Sequence, residues 1–353
     1  MYVNIWDDIL FEGDCVRFAI CFFLSLIITV TGYINSFTAT EYELPIDSEN
    51  GGDPFIVEDE TGCYYTFTTG GSVEIRKIKN FNDTTVVEKK TVYTAGSDGI
   101  AGDIWASEIH KIDGRWYIVS CALFDENSVP RGRMPEAESY EAHTDYYRYG
   151  FVLESKTQDV FGEYEFKGIL APDSLNNIDG TYLKKDGKLY YICSAYVDVA
   201  HQCLYITEME NPYTLKTDDS GENNSVMLSR PVFSWEKRGW WVNEGPAVLY
   251  KDSDIYIVYS ASGYSSGHYS LGMLTLCGDD VMNPESWYKS PFPVHYNQPY
   301  KDIYSAGHCS FLYRENGDIF MVYHATQKEE FFESPRLTYI KHVSFRMDFP
   351  CFM

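Results

Sequence analysis

Short apolar stretches separated by turn residues run along most of this chain, and no long amphipathic helix stands out among them. The stretches alternate apolar and polar positions and are rich in aromatic and β-branched residues, which favour strands. After residue 40 the Pro and Gly residues are spread evenly, without a segment that is typical of a linker between domains. The pattern therefore predicts one all-β domain.

An aromatic strand that follows a turn recurs five times. The copies are GCYYTFTT from Gly62, GRWYIVSCA from Gly114, GKLYYICSA from Gly187, SDIYIVYSA from Ser253 and GDIFMVYHA from Gly317. Their spacing of roughly 50 to 75 residues suits a propeller blade of four strands with variable loops. Five copies predict a five-bladed β-propeller in a single domain. A β-sandwich whose strands are similar by chance is the alternative.

A polar residue stands about six to ten residues before each copy, beside another apolar stretch. The five residues are Asp53, Glu108, Asp179, Glu244 and His308. Equivalent positions of repeated blades lie at equal distances from the propeller axis. If each polar residue opens the innermost strand of its blade, all five converge on one central pocket, whereas a sandwich would scatter them.

Three of these residues, Asp53, Asp179 and Glu244, carry carboxyl groups. Hydrolysis of a glycosidic bond needs a carboxylic acid that protonates the leaving oxygen and a carboxylate that activates water or attacks the sugar. A third acidic group nearby keeps the acid protonated, because like charges disfavour ionisation. The set predicts a glycosidase. A carbohydrate-binding propeller without catalysis is the alternative from another class, although a lectin needs no paired acid and base.

Five short strings resemble the motifs of glycoside hydrolase family 43, the five-bladed propeller arabinofuranosidases and xylosidases. They are DPF at 53–55, WASE at 105–108, IDG at 178–180, EGP at 244–246 and GHCSF at 307–311. The likeness covers roughly residues 50 to 346, with one string per predicted blade. WASE has Ser where the family has Pro, and GHCSF has Cys where Asn is common.

The resemblance implies an inverting mechanism, in which the two reacting carboxyls lie about 6.5–9.5 Å apart to leave room for a water. Asp53 is then the general base, Glu244 the general acid, and Asp179 the residue that orients the acid and raises its pKa. The family also places an axial His under the site, so His308 is a candidate contact of a structural Ca²⁺ or Na⁺. We expect no cofactor that the reaction requires.

Four further residues are candidates for binding the sugar. Trp105 is the candidate aromatic platform and Phe55 a second wall of the pocket. Glu108 either lines the pocket or forms hydrogen bonds that hold the axis together. Arg336 resembles the family's late arginine, which binds sugar hydroxyls near the base, and a guanidinium there would also lower the pKa of the base. Trp240 and Trp241 either shape the rim or pack in the core.

Longer strings resemble the exo-acting α-L-arabinofuranosidases of the family. They are SRPVFSWEK, NEGPAVLY, IVYSASG and LGMLTL. The resemblance implies removal of terminal α-L-arabinofuranose from arabinan or arabino-oligosaccharides of plant cell walls. A β-xylosidase and an endo-arabinanase of the same fold are the alternatives. Some xylosidases carry a C-terminal β-sandwich, and we expect none here, because the sequence ends soon after the last repeat.

The N-terminal part differs from the rest. Residues 18–30 read FAICFFLSLIITV after Arg17, a length typical of the apolar region of a signal peptide and short for a membrane span. We therefore expect a leader over residues 1–40, either a signal peptide or a signal anchor through residues 18–34, and a catalytic domain over residues 41–353. The protein is then secreted or membrane-anchored. A buried helix or strand of the main domain is the alternative.

The charge excludes one class of partner. The chain has 28 Lys and Arg residues against 52 Asp and Glu residues, which gives a formal net charge of −24. Such a surface repels the phosphate backbone of nucleic acids, whereas a neutral sugar is not repelled. No CxxC pair occurs among the nine cysteines, so a structural zinc site is not expected. We expect a monomer.

Overall fold

The predicted strands form five antiparallel units of the kind found in propeller blades, and a short parallel pairing of residues 201–202 with residues 241–242 joins the third and fourth units into one nine-stranded sheet. The computed structural model describes residues 18–19, 21–23, 25–27, 45–47, 51–80, 83–96, 98–132, 147–198, 201–330, 333–346 and 349–352. Most of the predicted leader lies outside these residues. The all-β prediction is confirmed, and the repeats correspond to the second strand of each blade.

Within each blade the strands pair antiparallel, and in blades 1 to 4 they follow one another in the chain. Blade 1 consists of β2 (Ile56–Asp59), β3 (Gly62–Thr68), β4 (Ser72–Asn80) and β5 (Asp83–Thr94). Blade 2 consists of β6 (Ile100–Ile112), β7 (Arg115–Phe124), β8 (Arg148–Ser155) and β9 (Tyr164–Leu170). Blade 3 consists of β10 (Asn177–Lys185), β11 (Lys188–Tyr196) and β12 (His201–Asn211), with the short β13 (Thr214–Leu215) and β14 (Ser225–Ser229) both paired to β12.

The fourth and fifth blades complete the ring. Blade 4 consists of β15 (Trp241–Lys251), β16 (Asp254–Ala261), β17 (Ser270–Leu276) and β18 (Trp287–Lys289). Blade 5 consists of β19 (Tyr304–Tyr313), β20 (Ile319–Thr326), β21 (Leu337–His342) and the N-terminal strand β1 (Pro45–Asp47). A two-stranded ribbon follows, formed by β22 (Ser344–Arg346) and β23 (Phe349–Cys351). Because β1 pairs with β21, the two ends of the domain share one blade.

Apolar clusters fill the space between neighbouring blades, so most strands are buried on both faces. Ile75 of blade 1 shares a cluster with Ile118 of blade 2, and corresponding clusters join blades 2 and 3, 3 and 4, and 4 and 5. The ring closes where Ile56 of blade 1 meets Leu312 and Val322 of blade 5. Blade-on-blade burial of this kind requires a closed ring, because an open one would expose two apolar faces.

The innermost strands β6, β10, β15 and β19 each contain a β-bulge near their start. The bulged residue adopts a left-handed backbone conformation in every case, and blade 1 has the same conformation just before β2. These residues and their φ angles are Asp53 (55°), Ala106 (46°), Asp179 (55°), Gly245 (53°) and His308 (45°). A bulge re-aims the side chains next to it, here at the start of each innermost strand.

The bulges correct one detail of the predicted repeat. Ala106 and Gly245, rather than Glu108 and Glu244, are the positions equivalent to Asp53, Asp179 and His308. Glu244 lies one residue before its bulge, and Glu108 two residues after. The prediction of strict equivalence was therefore wrong for blades 2 and 4, because the extra residue of a bulge shifts the register without a signal in the repeat.

The described residues between 18 and 27 are helical, and one side of this segment packs on the propeller. The Sγ atoms of Cys21 and Cys277 are 3.8 Å apart, and the rings of Phe18 and Tyr288 meet edge to face with centroids 5.9 Å apart. Among the residues that the structure describes, no helix is long and apolar enough to cross a membrane. The leader over residues 1–40 stays a prediction.

Gly307→Ala is expected to destabilise the propeller. A Cβ atom at Gly307, next to the blade 5 bulge, would lie 2.2 Å from Cδ1 of Tyr269, whose ring is 1% exposed and has no room to move. Overpacking of this kind lowers the free energy of unfolding by about 1–3 kcal/mol. Gly71→Ala is the matched control, because its Cβ meets nothing within 4 Å. Urea denaturation measures both, and equal stability of the two variants would contradict the packing described here.

Candidate active site

Asp53 lies where blades 1 and 5 meet, and residues of blade 5 fix its position. Its backbone N–H donates to Nδ1 of His324 over 3.1 Å, and its Oδ1 accepts from Nη1 of Arg336 over 3.1 Å. Nδ1 of His308 lies 3.3 Å from the same oxygen. The glycine before Asp53 allows this approach, because a Cβ atom at Gly52 would lie 2.5 Å from Cζ of Arg336.

These neighbours keep the Asp53 carboxyl ionised. Burial alone would raise its pKa, but the positive charge of Arg336 and the contacts with His308 and His324 hold the pKa well below its usual range. Burial lowers the pKa of His324 to about 4. A neutral His324 accepts the Asp53 N–H through Nδ1, so Arg336 is the cation to which we attribute most of the effect on Asp53.

Asp179 and Glu244 form a second, buried acidic pair. The N–H of Gly245 donates to Oδ2 of Asp179 over 3.0 Å, so the bulge of blade 4 binds the carboxyl that the bulge of blade 3 presents. The hydroxyl of Tyr269 donates to Oε1 of Glu244 over 2.8 Å. Gly245 combines a left-handed conformation with a close neighbour, because a Cβ atom there would lie 3.0 Å from Nδ1 of His308.

The environment of this pair opposes ionisation. Burial raises the pKa of Glu244 well above its usual value, and the nearby charges of Asp179 and Asp53 add to the effect. Burial also raises the pKa of Asp179 to about 6, against the opposing influence of His308. Asp53 therefore stays ionised, whereas burial favours the protonated form of Glu244, and this difference between two carboxyls is the one that acid and base catalysis requires.

His308 lies between the two acidic groups. Its Nδ1 is 3.3 Å from Oδ1 of Asp53 and 3.9 Å from Oδ2 of Asp179, and its backbone N–H donates to Oγ of Ser260 over 2.7 Å. Within the described ranges, no group of three or more His, Cys, Asp and Glu side chains is arranged to hold a metal ion. The ion contact of His308 therefore stays a prediction, and the contacts of its Nδ1 are with carboxyls.

A cavity of about 470 Å³ opens beside Asp53. Trp105 and Arg336 line it together with Phe67 and Thr66 of blade 1. The Trp105 side chain is 38% exposed, and its ring carries the guanidinium of Arg148, whose Cζ lies 3.5 Å from the ring centroid. An exposed, fixed indole next to ionised and hydrogen-bonding groups is a surface suited to a sugar ring.

Comparison with known proteins connects this constellation to an enzyme family. The profile of the family described as "Glycosyl hydrolases family 43" matches residues 42–349, which include all five bulges. The chain belongs to glycosyl hydrolase family 43. It is therefore a glycosidase, and the predicted membership and five-bladed fold are confirmed.

Several relatives of this family 43 enzyme are named arabinofuranosidases. The extracellular exo-alpha-(1->5)-L-arabinofuranosidase of Streptomyces chartreusis is 31% identical over 305 residues, which cover 83% of this chain and 85% of that protein. The protein of the same name from Streptomyces avermitilis is 32% identical, over 78% of this chain and 55% of that protein. This chain thus spans about half the length of the second relative.

Solved structures agree with the fold. The alpha-L-arabinofuranosidase from Lactobacillus brevis has a TM-score of 0.73 and 29% sequence identity, and the match covers 88% of this chain and 96% of that chain. A thermostable family-43 glycoside hydrolase has a TM-score of 0.68 at 22% identity, over 88% of this chain and 95% of that chain. The second likeness supports the propeller architecture alone.

Two predicted sugar contacts of this family 43 enzyme, Phe55 and Glu108, lie further along the propeller axis than the bulges. Phe55 and Glu108 each stand two residues beyond the bulge of their blade. Oε2 of Glu108 pairs with Nε2 of His110 over 2.8 Å, and the rings of Phe55 and His110 have centroids 4.7 Å apart. Neither is among the described residues that line the cavity, and neither are Asp179 and Glu244. The contact of Phe55 joins blades 1 and 2, whereas that of Glu108 lies within β6, so their roles as sugar contacts stay predictions.

Sequence reasoning missed Tyr269 and His324. The two rings stack with centroids 5.7 Å apart and planes 8° apart, while Tyr269 bonds to Glu244 and His324 bonds to Asp53. A signal for His324 was present in the repeat: YHA in blade 5 replaces the YSA of blade 4. Tyr269 belongs to none of the five family motifs, and only the folded structure shows that it contacts Glu244.

Glu244→Gln is expected to become more stable relative to the parent enzyme as the pH rises from 5 to 8. The pKa of Glu244 is raised in the folded state, so above the pKa of the unfolded chain the folded protein holds a proton that the unfolded protein has lost. The parent therefore loses stability with rising pH, by at most about 1.4 kcal/mol per pH unit. Gln keeps an acceptor for Tyr269 and has no proton to lose.

Chemical denaturation at several pH values measures this difference. The control is Glu163→Gln, which removes an exposed carboxylate whose pKa is lowered by Lys156 and which stays ionised from pH 5 to 8. Its stability relative to the parent should be constant over that range. A constant difference for Glu244→Gln as well would show that Glu244 is ionised in the folded enzyme.

Proposed function

We propose that this family 43 enzyme removes terminal α-L-arabinofuranosyl residues from arabinan or arabino-oligosaccharides, with inversion at the anomeric carbon. The observation that carries the proposal is the division of the central carboxyls into Asp53, which is paired with the cation Arg336, and Glu244, which is buried and accepts from the neutral hydroxyl of Tyr269. A binding propeller has no use for that division. The choice of sugar is supported by relatives at about 30% identity that are named arabinofuranosidases.

Asp53 is the proposed general base. Arg336 lowers the pKa of the carboxyl and also fixes Oδ1 through a hydrogen bond, while His324 fixes the backbone of the same residue. The other carboxylate oxygen, Oδ2, takes the proton of the attacking water. Together with His308, which lies 3.3 Å from the same Oδ1, these groups all come from blade 5. They position the base without further rearrangement, which favours proton transfer.

Glu244 is the proposed general acid. Its burial and the neighbouring Asp179 keep a proton on the carboxyl near neutral pH. Tyr269 occupies Oε1, which leaves Oε2 to carry the proton toward the glycosidic oxygen. Asp179 acts on Glu244 in two ways: its charge raises the pKa of the acid, and its hydrogen bond to the N–H of Gly245 fixes the backbone next to it.

Trp105 and Arg336 are the proposed sugar contacts. Both line the cavity beside Asp53, with the indole as the apolar platform and the guanidinium as the donor to sugar hydroxyls. Secretion follows as part of the same proposal, because two relatives are named extracellular and the N-terminal apolar segment resembles a signal sequence. The substrate is then arabinan or arabino-oligosaccharide of plant cell walls.

A β-xylosidase and an endo-arabinanase are the alternatives within the family. The solved structures of a xylan beta-1,4-xylosidase and of an endo-arabinase match the fold at 16% and 17% identity, a likeness that concerns architecture alone. The exo mode is favoured by the names of the two Streptomyces relatives.

Substrate profiling tests the choice of sugar. We expect the enzyme to hydrolyse an aryl α-L-arabinofuranoside much faster than an aryl β-D-xyloside, and to release only the monosaccharide arabinose from linear α-1,5-arabino-oligosaccharides. Chromatography of the early products measures the second point. Faster cleavage of the xyloside would favour the β-xylosidase, and early release of di- and trisaccharides would favour the endo-arabinanase.

Glu244→Gln and Asp53→Asn are expected to differ in their dependence on the leaving group. Loss of an acid slows poor leaving groups by on the order of 10²–10⁴-fold and activated aryl groups far less, because only the former depend on protonation. Loss of the base slows all substrates to a similar extent. Steady-state rates for a series of aryl arabinofuranosides of rising leaving-group pKa measure the two slopes.

A steeper dependence for Asp53→Asn than for Glu244→Gln would reverse the two assignments. Proton NMR of the first-formed sugar supplies an independent check on the parent enzyme. Inversion gives the β-anomer first, and net retention would remove Asp53 from the role of base.

A further inference from the structure

Three exposed aromatic side chains lie on blade 4, one at the start of the strand that carries Glu244 and two on the loops beside it. Trp240 is 56% exposed, Trp241 43% and Tyr264 50%. Large aromatic side chains are normally buried to a greater extent than this. We call these three residues the aromatic rim.

The loops that carry the rim are fixed to each other. The N–H of Gly263 donates to the carbonyl of Arg238 over 2.9 Å, and a Cβ atom at Gly263 would lie 3.2 Å from Cδ1 of Trp240. The indole of Trp240 therefore rests on the backbone of the loop that bears Tyr264. Exposed rings held in this way present a defined surface at a small entropy cost.

The rim is continuous with the active site. Trp241 is the first residue of β15, three positions before Glu244, or about 10 Å at ~3.3 Å per strand residue. A chain that occupies the active site reaches the rim within a few sugar units.

The groups around Trp241 are polar. The Nζ of Lys237 lies 4.4 Å from the ring centroid, and His201 meets the ring edge to face with centroids 4.6 Å apart. An indole flanked by hydrogen-bonding groups suits a ligand with both C–H faces and hydroxyls. This favours a carbohydrate over an apolar protein surface.

The position of the acid decides which part of the substrate reaches the rim. Glu244 must contact the glycosidic oxygen, which departs with the leaving group, so the leaving group lies on the blade 4 side. Trp105 and Asp53, from blades 2 and 1, lie on the side of the sugar that is released. We propose that the aromatic rim binds the leaving-group part of the chain, as the site for the second and following arabinofuranosyl units of an arabinan.

This inference rests on the proposed function, and it predicts a dependence on chain length. The double variant Trp240→Ala/Trp241→Ala should keep kcat/KM for an aryl arabinofuranoside within about twofold, since an aryl group is too short to reach both rings. For arabino-oligosaccharides of four or more units and for arabinan, kcat/KM should fall roughly tenfold or more, as expected for the loss of aromatic contacts. Tyr264→Ala should show a smaller loss of the same kind.

Tyr313→Ala is the matched control, because Tyr313 is 43% exposed like Trp241 but lies at the far end of β19. It should affect all substrates equally. Unchanged rates of the double variant on the polymer, or an equal loss on the aryl substrate and the polymer, would overturn the proposal. Circular dichroism before each assay separates misfolding from lost binding, and Trp240→Phe/Trp241→Phe should restore most of the polymer rate.

A failure of the proposed function gives a different result. If the parent enzyme cleaves no arabinoside at all, the function is wrong, and affinity electrophoresis in gels that contain arabinan, arabinoxylan or xylan then tests the rim alone. Retardation of the parent in arabinan that the double variant loses would support the rim as an arabinan-binding site. Equal mobility of the two proteins in the arabinan gel would overturn it.

Discussion

One interaction between neighbouring blades organises the centre of this propeller. In three of the five blades, a side chain on the second strand forms a hydrogen bond with the backbone near the bulge of the next blade. The pairs are Ser194 with Asn243, Ser260 with His308, and His324 with Asp53. In blade 1 the hydroxyl of Thr66, also on the second strand, donates to the carbonyl of Ser107 next to the bulge of blade 2. Four of the five bulges are thus fixed by the blade before them, and backbone groups that these bulges leave without a ladder partner are satisfied.

This arrangement explains why the functional side chains stand where they do. A residue in the left-handed conformation turns its side chain away from the usual alternation of a strand, and a bulge at the same point in every blade directs several side chains to one axis. Because Asp179 accepts from the N–H of Gly245 and Ser194 donates to the carbonyl of Asn243, the geometry of Asp179 and Glu244 depends on the packing of blades 3 and 4. Asp53 depends on the closure of the ring, since its partners His324 and Arg336 come from blade 5, more than 270 residues away in sequence.

The sequence reveals the repeat and the three central carboxyls because both are local: an aromatic strand after a turn, and a carboxyl next to Gly or Pro. The sequence does not reveal that Ala106 is the position equivalent to Asp53, because a bulge adds one residue to the strand and the alternation of apolar and polar residues does not mark where. The roles of Glu108 and Phe55 also depend on that register, which places both beyond the cavity. The role of Tyr269 cannot be predicted from the sequence, because its hydroxyl contacts Glu244, 25 positions earlier in the chain, only after the segment between them has folded into a hairpin. Tyrosine is also common throughout this chain, with 30 in total, so no single one stands out.

The electrostatic design has a consequence for the stability of the fold. Asp53 is compensated by Arg336, so its ionised form is stabilised, as the proposed role of general base requires. Glu244 and Asp179 have no such cation among their described hydrogen-bond partners; Tyr269 and the N–H of Gly245 are neutral donors. A neutral donor satisfies the oxygen but offsets little of the penalty for burying a charge. For Glu244 burial therefore outweighs the opposing charge of Arg336, and the blade-to-blade clusters must supply the stability that this arrangement forgoes. Conditions that weaken apolar burial should thus loosen the surroundings of Glu244, the proposed acid, before those of Asp53, the proposed base, which Arg336 anchors directly.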